Sequence, residues 1–448
     1  MMKVLINAYA CSPKMGSEPG MAWNWVVNVS RHCELYIITE GEFWEHIADE
    51  MATLKHAKNL HFYYNPVPER IRTMCWNQGD WRFYKYYKEW QKKAYHIAKN
   101  ICKEVEIDVI HQLNMTGFRE PGYLWKLAKE NDIPFVWGPI GGLKQFPTAY
   151  LKGKKMKYQF FMRLKNFLNV FQLKFDRRVN QALHSASALI STIPDSYEAI
   201  KRYKGLDSIV IPETGCFFAE DSSKERFMEE EFHVIWAGKF DFRKQLPLAL
   251  RAIAHADNPH VVLDVYGGET NTHLEVAKQM AAELGISEKV VWHGKQSIEV
   301  VMQAMRRSHL FLFTSVSEET STVILEAVSN HLPVLCFDTC GMSTVINDSI
   351  GKKVALTNPE QSMKDFASIL NELESNRELL KQMSENCKQR QVELSWEEKV
   401  QKIVSIYQKV LEVKSKCRVE ESRIALDNPL KQTDNNYVTS EELKLAMQ

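Results

Sequence analysis

Two carboxylates, Glu318 and Glu326, are separated by seven residues, with hydroxyl side chains between them at Thr320, Ser321 and Thr322. Hydroxyl residues are favoured at helix N-caps, and the start of a helix presents unpaired N–H groups and the positive end of the helix dipole. Such a helix start can bind phosphate. Because one carboxylate precedes it and the other lies just inside it, both can accept hydrogen bonds from nearby hydroxyl groups. The spacing therefore indicates a site for a ligand with a diphosphate and hydroxyls on both sides, such as a nucleotide sugar.

The residues around this pair must form a strand, a turn, a helix and a second strand to hold the site together. Apolar runs at residues 310–313 and 334–336 predict the two buried strands, and residues 331–333 predict the end of the helix. A single Glu in the first turns of a helix would mean little, because the helix dipole favours it there. Two carboxylates at this spacing in this context are more specific.

The segment resembles the E-x7-E motif of the retaining glycosyltransferases of family 4, also called group 1, which have the GT-B fold. The resemblance continues through residues 326–328, residues 332–334 and Gly341. It implies that Glu326 holds the ribose hydroxyls and that Glu318 contacts the transferred sugar. The chain departs from the family at residues 319–321, where Gly-Phe-Gly is common, and at His331, where glycine is usual.

A basic loop follows an earlier predicted strand, at Gly238, Lys239, Arg243 and Lys244. One lysine in a loop is most simply a solvated charge. This loop, however, resembles the family's G-R…K-G motif, with Lys239 at the usual Arg position and Lys244 at the usual Lys. Fixed cations there would stabilise the charge that develops on a departing nucleoside diphosphate. The resemblance implies that Lys239 and Lys244 are catalytic and that Gly238 contacts the donor.

Further donor-binding positions follow from the same resemblance. The glycine-rich run from Gly16 to Trp25 follows the first strand and resembles the family loop that approaches the donor phosphates, which implies roles for Gly16 and Gly20. The pattern G-x-G-x-x-G of dinucleotide sites is absent from it. Gly294 and Lys295, at the end of a later strand, resemble the segment that packs against the nucleobase. Ser321 and Thr322 would supply the amides of the helix start.

His111 lies near the end of a predicted strand at residues 109–112. A histidine in this place is often a hydrogen-bonded structural residue. The family commonly has a histidine at this strand end, near the transferred sugar, and the resemblance implies that His111 is catalytic. Residues 137–142 and Arg119 are expected to line the same region.

The length and composition indicate two soluble α/β domains. The chain has 448 residues, 45% hydrophobic and 25% charged residues, and a net charge of +1, which gives no global field for nucleic acid. We predict a Rossmann-like acceptor domain at 1–213, a Rossmann-like donor domain at 214–393, a crossover helix at 394–414 and a polar extension at 415–448. By the resemblance, the two doubly wound domains would face each other across a cleft, as in the GT-B fold.

Apolar runs alternate with helical patterns along the chain, as in parallel sheets. The predicted strands are 4–8, 35–39, 60–64, 109–112, 135–138, 188–191, 233–237, 261–266, 290–293, 310–314 and 334–337. The chain opens directly on a strand, so we expect no signal peptide, and no apolar run approaches the length of a membrane span. Nine scattered cysteines fit a reducing cytoplasm better than a disulfide framework.

Two segments, 81–103 and 151–178, combine lysines and arginines with aromatic residues. Basic aromatic helices often lie on anionic membrane surfaces. Most such helices are solvated basic faces over an apolar core face, and nucleic acid would need a recognition module that the chain lacks. We favour weak peripheral contact with an anionic membrane, at the inner face of the cell membrane.

The resulting prediction is a cytoplasmic retaining glycosyltransferase, a hexosyltransferase that takes a UDP- or GDP-linked sugar and serves cell-surface polysaccharide or glycolipid biosynthesis. Its acceptor would be a glycan or a lipid-linked molecule. The alternatives are a nucleotide-sugar epimerase with the same architecture and a non-catalytic nucleotide-sugar-binding relative. We expect no metal and no cofactor besides the donor, because Asp241, Asp264 and Asp338 form no paired DxD motif after a strand.

Overall fold

The computed structural model describes residues 1–77, 80–218, 225–268 and 271–427. It divides into two compact units. The first comprises residues 1–143, residues 168–213 and the chain from Lys399 onward, and the second comprises residues 144–167 and 214–398.

Each unit contains a parallel sheet. The strands in chain order are β1 (Met2–Ala8), β2 (Cys33–Thr39), β3 (Leu60–Tyr64), β4 (Val109–Asn114), β5 (Phe135–Ile140), β6 (Ala188–Ser191), β7 (Ile209–Val210), β8 (Phe232–Gly238), β9 (Val261–Gly267), β10 (Val290–Gly294), β11 (Leu310–Phe313), β12 (Val334–Phe337) and β13 (Gly351–Val354). The first sheet has the order β3-β2-β1-β4-β5-β6-β7 and the second β10-β9-β8-β11-β12-β13. Both orders reverse direction once, between β1 and β4 in the first sheet and between β8 and β11 in the second, as in doubly wound folds.

The helices connect the strands. In chain order they are α1 (Ser17–Val29), α2 (Trp44–Met51), α3 (Glu69–Trp76), α4 (Phe83–Glu104), α5 (Leu124–Glu130), α6 (Met156–Phe175), α7 (Arg177–Ser185), α8 (Pro194–Lys204), α9 (Leu246–Ala256), α10 (Asn271–Glu283), α11 (Ile298–Arg307), α12 (Thr322–Ser329), α13 (Met342–Val345), α14 (Pro359–Ser375), α15 (Arg377–Glu393) and α16 (Trp396–Asp427). None of the described helices is long and apolar enough to span a membrane.

Local sequence explains several helix boundaries. The Asn358 side chain caps α14 by accepting hydrogen bonds from the N–H groups of Glu360 and Gln361 at 3.1 and 3.0 Å, and Pro359 occupies the first turn. Helix α8 begins with Pro194 and ends at Gly205, which adopts the left-handed conformation (φ +70°) that glycine accepts without strain.

The predicted α/β fold with two Rossmann-like units is confirmed, and the sheet core explains why. The central strands are buried on both faces, so they appear in the sequence as continuous apolar runs such as residues 310–313. The strands β7 and β13 were not predicted. They have two and four residues, and β13 contains Lys352 and Lys353, so neither gives a clear hydrophobic pattern.

Residues 144–167 cluster with the second unit, whereas the sequence analysis assigned them to the first domain. Tyr150 explains the difference. Its ring makes an edge contact with Phe337 at 5.8 Å, and its hydroxyl lies 2.7 Å from the Ser362 hydroxyl. Leu151 and Met162 belong to the same buried cluster. These contacts are tertiary, so no change in composition marks them in the sequence.

The C-terminal helix α16 is longer than the predicted crossover helix at 394–414. From Lys399 onward the chain clusters with the first unit. There the Tyr407 hydroxyl lies 2.5 Å from Nδ1 of His111, and Lys414 forms an ion pair with Asp132 at 3.2 Å. Residues 428–448 of the predicted polar extension lie outside the described residues.

Candidate functional site

The reversal point of the second sheet brings the two predicted motifs together. The basic loop follows β8 and the first carboxylate follows β11, and these two strands are neighbours. In doubly wound sheets, ligands bind beyond the carboxyl ends of the strands at such a point. The topology therefore places both motifs where a ligand site is expected.

An ion pair links the two motifs. Lys244 Nζ lies 3.0 Å from Glu318 Oε1, and the two side chains are only 13% and 12% exposed. The same carboxylate oxygen accepts a hydrogen bond of 2.6 Å from the Ser315 hydroxyl. Because the pair is largely shielded from water, its electrostatic interaction is stronger than that of a surface ion pair. The structure thus fixes a cation and a carboxylate side by side after neighbouring strands.

The backbone of the basic loop is held by its own side chains. The Asp241 carboxylate accepts hydrogen bonds from the N–H groups of Arg243 and Lys244 at 2.7 and 3.3 Å. Arg243 Nη2 also contacts the Asp241 carboxylate at 2.8 Å, so Arg243 is bound within the loop. The hydroxyl of Thr314, after β11, donates to the carbonyl of Lys244 at 2.8 Å. These bonds orient Lys244, while Lys239 is exposed.

The helix start between the carboxylates has the expected form. Ser321 is the N-cap of α12, with an extended backbone, and among the described residues its hydroxyl accepts no capping hydrogen bond from the helix. Gly341 lies directly against the turn, because a Cβ there would be 2.5 Å from Thr320 Oγ1. Only glycine allows this approach, which gives a physical reason for the Gly341 that the family resemblance included.

Glu326 lies one turn inside α12 and is partly buried. Burial raises the pKa of its carboxyl above the ordinary value, and the charge of Lys244 opposes that rise. Among the described residues no donor hydrogen-bonds to the Glu326 side chain, in contrast to Glu318, whose carboxylate is paired. Lys244 therefore acts electrostatically on both carboxylates of the motif.

The helix α12 ends in a Schellman motif that uses histidine in place of glycine. His331 adopts φ +54°, its N–H donates to the Val328 carbonyl at 3.0 Å, and the Leu332 N–H donates to the Ala327 carbonyl at 2.9 Å. The carbonyl of His331 accepts a hydrogen bond of 2.8 Å from Arg226. Tertiary contacts thus hold His331 in a conformation that glycine adopts more readily.

The other donor-binding positions of the second unit lie at strand ends. Gly238 ends β8, and a Cβ at Gly267 would be 1.8 Å from the Gly238 carbonyl oxygen, so these two strand ends approach closely. Gly294 ends β10 in the left-handed region (φ +67°), and Lys295 beyond it is exposed.

A polar cluster on β8, β9 and β10 was not predicted. Asp264 Oδ2 lies 2.9 Å from His233 Nδ1, and Asp264 Oδ1 lies 2.7 Å from His293 Nε2. In the sequence Asp264 belongs to no paired motif, because its partners come from two other strands. Within the described ranges, no group of three His, Cys, Asp or Glu side chains could hold a metal ion.

The first unit has its own loops at the reversal point of its sheet. The glycine-rich loop after β1 leads into α1, and a Cβ at Gly20 would be 2.1 Å from the Met15 carbonyl oxygen, so the turn requires glycine. Gly16 is the N-cap of α1. The Glu18 carboxylate accepts a hydrogen bond of 2.8 Å from the hydroxyl of Thr116, which follows β4. Burial raises the pKa of Glu18, and the bonds from Thr116 oppose that rise.

His111 does not lie at a strand end. Strand β4 continues to Asn114, so His111 is inside the strand and is fully buried. Its Nε2 lies 2.7 Å from the Gly138 carbonyl oxygen, which can only accept, so Nε2 carries the proton. Nδ1 then accepts from the Tyr407 hydroxyl. We therefore revise the interpretation of His111 from a catalytic to a structural residue.

Comparison with known proteins gives a match within the second unit. Residues 217–390 match the family described as glycosyl transferases group 1. In this segment the chain is similar to the group 1 glycosyl transferases. The segment contains the basic loop, the ion pair between Lys244 and Glu318, the helix start and Glu326. The residues proposed in the first unit, Gly16, Gly20 and His111, lie outside the match.

A curated relative is similar to part of the chain. The chain is 29% identical over 150 residues to D-inositol 3-phosphate glycosyltransferase of Nocardia farcinica. The aligned part is 33% of this chain and 33% of the relative, so the two match over about a third of their lengths.

Solved structures resemble the chain over most of its length. Sucrose-phosphate synthase from Thermosynechococcus elongatus has a TM-score of 0.62 at 15% identity, covering 92% of this chain and all of that one. HepE of Anabaena, solved with UDP and glucose, has a TM-score of 0.59 at 15% identity, covering 93% and 100%. WaaG, a glycosyltransferase of lipopolysaccharide biosynthesis, has a TM-score of 0.52 at 17% identity, covering 92% and 99%. These similarities establish the GT-B class of fold.

Proposed function

We propose that the protein is a retaining glycosyltransferase that uses a nucleoside-diphosphate sugar as donor. The observation that carries the proposal is the shielded pair of Lys244 and Glu318 at the reversal point of the second sheet, beside the start of α12. A diphosphate needs fixed positive charge and N–H donors, and a sugar needs carboxylates that accept from its hydroxyls. The site supplies all of these within the segment that is similar to the group 1 family.

The chemistry follows from where charge develops. When the bond between the sugar and the diphosphate breaks, negative charge grows on the leaving phosphate oxygen. Lys244 and the N–H groups at the start of α12 stabilise that charge, because they are oriented before the reaction begins. Exposed Lys239 adds a second cation.

Retention of configuration requires the acceptor to attack from the side on which the diphosphate leaves. We propose that this occurs without a covalent intermediate on the protein, with the leaving diphosphate helping to remove the proton of the acceptor hydroxyl. In this scheme neither Glu318 nor Glu326 is a nucleophile. Both carboxylates position the donor.

The two carboxylates contact different parts of the donor. Glu326, which has no hydrogen-bond donor among the described residues, is available to accept from the ribose hydroxyls. Glu318 contacts the transferred sugar while it remains beside Lys244. Since Lys244 serves both Glu318 and the diphosphate, loss of the Glu318 charge leaves Lys244 available to the nucleotide.

A protein of the same fold supports the class of donor. HepE, which shares the fold, was solved with UDP, and with UDP and glucose. That supports a nucleotide-sugar donor here, and we propose that its base is uridine or guanosine. We propose a glycan or lipid-linked acceptor of cell-surface polysaccharide or glycolipid biosynthesis, reached by a cytoplasmic enzyme.

The experiment begins with thermal unfolding of the full chain in a panel of UDP- and GDP-linked sugars. A donor that binds the native state raises the melting temperature. The donor that gives the largest shift is then radiolabelled and supplied with lipid-linked and soluble acceptors, and the anomeric configuration of the product is determined. Binding without transfer or hydrolysis would overturn catalysis, an epimerised donor would indicate an epimerase, and an inverted product would overturn retention.

A further inference from the structure

The helix α6 carries a row of large apolar side chains on its outer surface. Phe160, Leu164 and Phe167, here called the aromatic face, recur every three or four residues in the part of α6 that belongs to the second unit. At 3.6 residues per turn this spacing places them on one side of the helix. Phe160 and Phe167 are 69% and 63% exposed.

The opposite side of α6 packs against the rest of the protein. Met162 is buried there, and the Asn166 amide bonds the backbone of Phe146, accepting from its N–H and donating to its carbonyl, each at 2.9 Å. The helix therefore has an inner face that packs and an outer face of exposed phenylalanines. An exposed apolar row of this size indicates an interaction surface.

The charge around the aromatic face identifies the kind of partner. Residues 151–175 contain seven lysines and arginines and no aspartate or glutamate. Arg163 and Lys165 adjoin Leu164 in sequence, so each is turned about 100° to one side of it. Cations thus flank the apolar row, and no carboxylate of the helix neutralises them. An anionic surface with an apolar interior complements this arrangement.

We infer that the aromatic face of α6 docks on an anionic lipid membrane, with the helix lying in the plane of the interface. A second copy of the chain is a poorer partner, because pairing the same face twice would bring the cations of both copies together. The inference does not depend on the proposed sugar transfer.

The helix α4 provides a matched contrast. It belongs to the other basic aromatic segment, 81–103, for which we also predicted membrane contact. Its residues Tyr87 and Trp90 are each 2% exposed and belong to the core of the first unit. Exposed aromatic residues in this segment stand only at its start, at Trp81 and Tyr84 (79% and 45% exposed), so the inference is limited to the row on α6.

The test is co-sedimentation of the full chain with vesicles of phosphatidylcholine alone and of an equimolar mixture with phosphatidylglycerol. Wild type should bind the anionic vesicles, more weakly in high salt because salt screens the attraction. Lys157→Glu with Arg163→Glu should bind at least about tenfold more weakly at low salt, since one well-placed cation contributes about a fivefold factor. Phe160→Ser with Phe167→Ser should lose binding even at low salt.

The control is Lys85→Glu with Lys93→Glu, an equal charge change at exposed positions of α4. It should bind like wild type, and thermal unfolding should show that all variants are folded. Failure of wild type to bind anionic vesicles at low salt would overturn the inference, as would equal loss in the α4 control. Sedimentation velocity without lipid provides a further check. A dimer that disappears in Phe160→Ser with Phe167→Ser would assign the face to a second copy instead. No sugar is transferred in these assays, so their failure would leave the proposed function standing.

Discussion

At the reversal point of each sheet, side chains that follow two neighbouring strands contact each other, but the two contacts differ in charge. In the second unit the loops after β8 and β11 meet through the charged pair of Lys244 and Glu318. In the first unit the loops after β1 and β4 meet through Glu18 and the neutral hydroxyl of Thr116. Below that edge, His111 lies inside β4 with both ring nitrogens bonded. A polar residue near a strand end is thus a ligand-site candidate only if it extends beyond the strand.

The largest expected effect is at the charged pair. Lys244→Ala should lower turnover by about 100-fold or more, the range for losing a preorganised group that stabilises transition-state charge. Steady-state transfer of the labelled donor measures it. The matched control is Lys278→Ala, which removes an exposed lysine paired with Glu275 on α10. Near-normal turnover of Lys244→Ala would remove the charged pair from the mechanism.

The two carboxylates should differ in what they hold. Glu326→Gln should weaken binding of the free nucleoside diphosphate by about tenfold, because a neutral amide accepts more weakly from ribose hydroxyls than a carboxylate does. Glu318→Gln should impair transfer and leave that binding intact, or tighten it, since Lys244 becomes available to the phosphates. Titration calorimetry with the nucleoside diphosphate distinguishes these results. Equal weakening in both variants would show that the roles are wrongly divided.

His111 should affect stability rather than catalysis. His111→Ala should lower the free energy of unfolding by about 1–3 kcal/mol or more, because it leaves the buried Gly138 carbonyl and Tyr407 hydroxyl without their partner. Chemical denaturation measures this loss, with Tyr407→Phe as the matched change at the other end of the bond. At a temperature where the variant is folded, kcat should stay within a few-fold of wild type. A large loss of kcat with unchanged stability would restore the catalytic interpretation.

The pH dependence of stability also tests the structural role of His111. Burial lowers the pKa of His111 to about 4, and the bond to Gly138 partly opposes this. The unfolded state, with an ordinary histidine pKa of about 6.5, then binds more protons between these values. The contribution of neutral His111 is full above pH 6.5 and is lost as the pH falls toward 4. His111→Ala should make the loss of stability between pH 6.5 and pH 4 smaller. It should not abolish that loss, because burial also lowers the pKa of His309 to about 4.

The smallest expected effect is that of metal removal. Lys244, Lys239 and the start of α12 already supply positive charge to the diphosphate, so we expect transfer to continue in excess chelator. Transfer assays with and without chelator test this. Complete loss of activity that added magnesium restores would show that the donor arrives with a metal ion.

Much of this organisation could be predicted from the sequence. The strands at 188–191 and 334–337 have the predicted bounds, because buried parallel strands form continuous apolar runs. The partly exposed edge strand at 60–64 also has its predicted bounds. The spacing between Glu318 and Glu326 indicated a helix start, and α12 begins at Thr322. These features are local, so residue type and periodicity are enough to find them.

Contacts between distant segments decided the rest. Lys244 contacts Glu318 because β8 and β11 are neighbouring strands, and Asp264 contacts two histidines from the strands on either side of it. Neither contact can be predicted from residues that are close in sequence. Contacts of Tyr150 pack residues 144–167 with the second unit, and Tyr407 hydrogen-bonds to the buried His111 in the first. The same logic separates α4 from α6, both of which combine lysines with aromatic residues. Composition determines that a helix has apolar and basic residues, but burial against the rest of the fold decides which of them remain exposed.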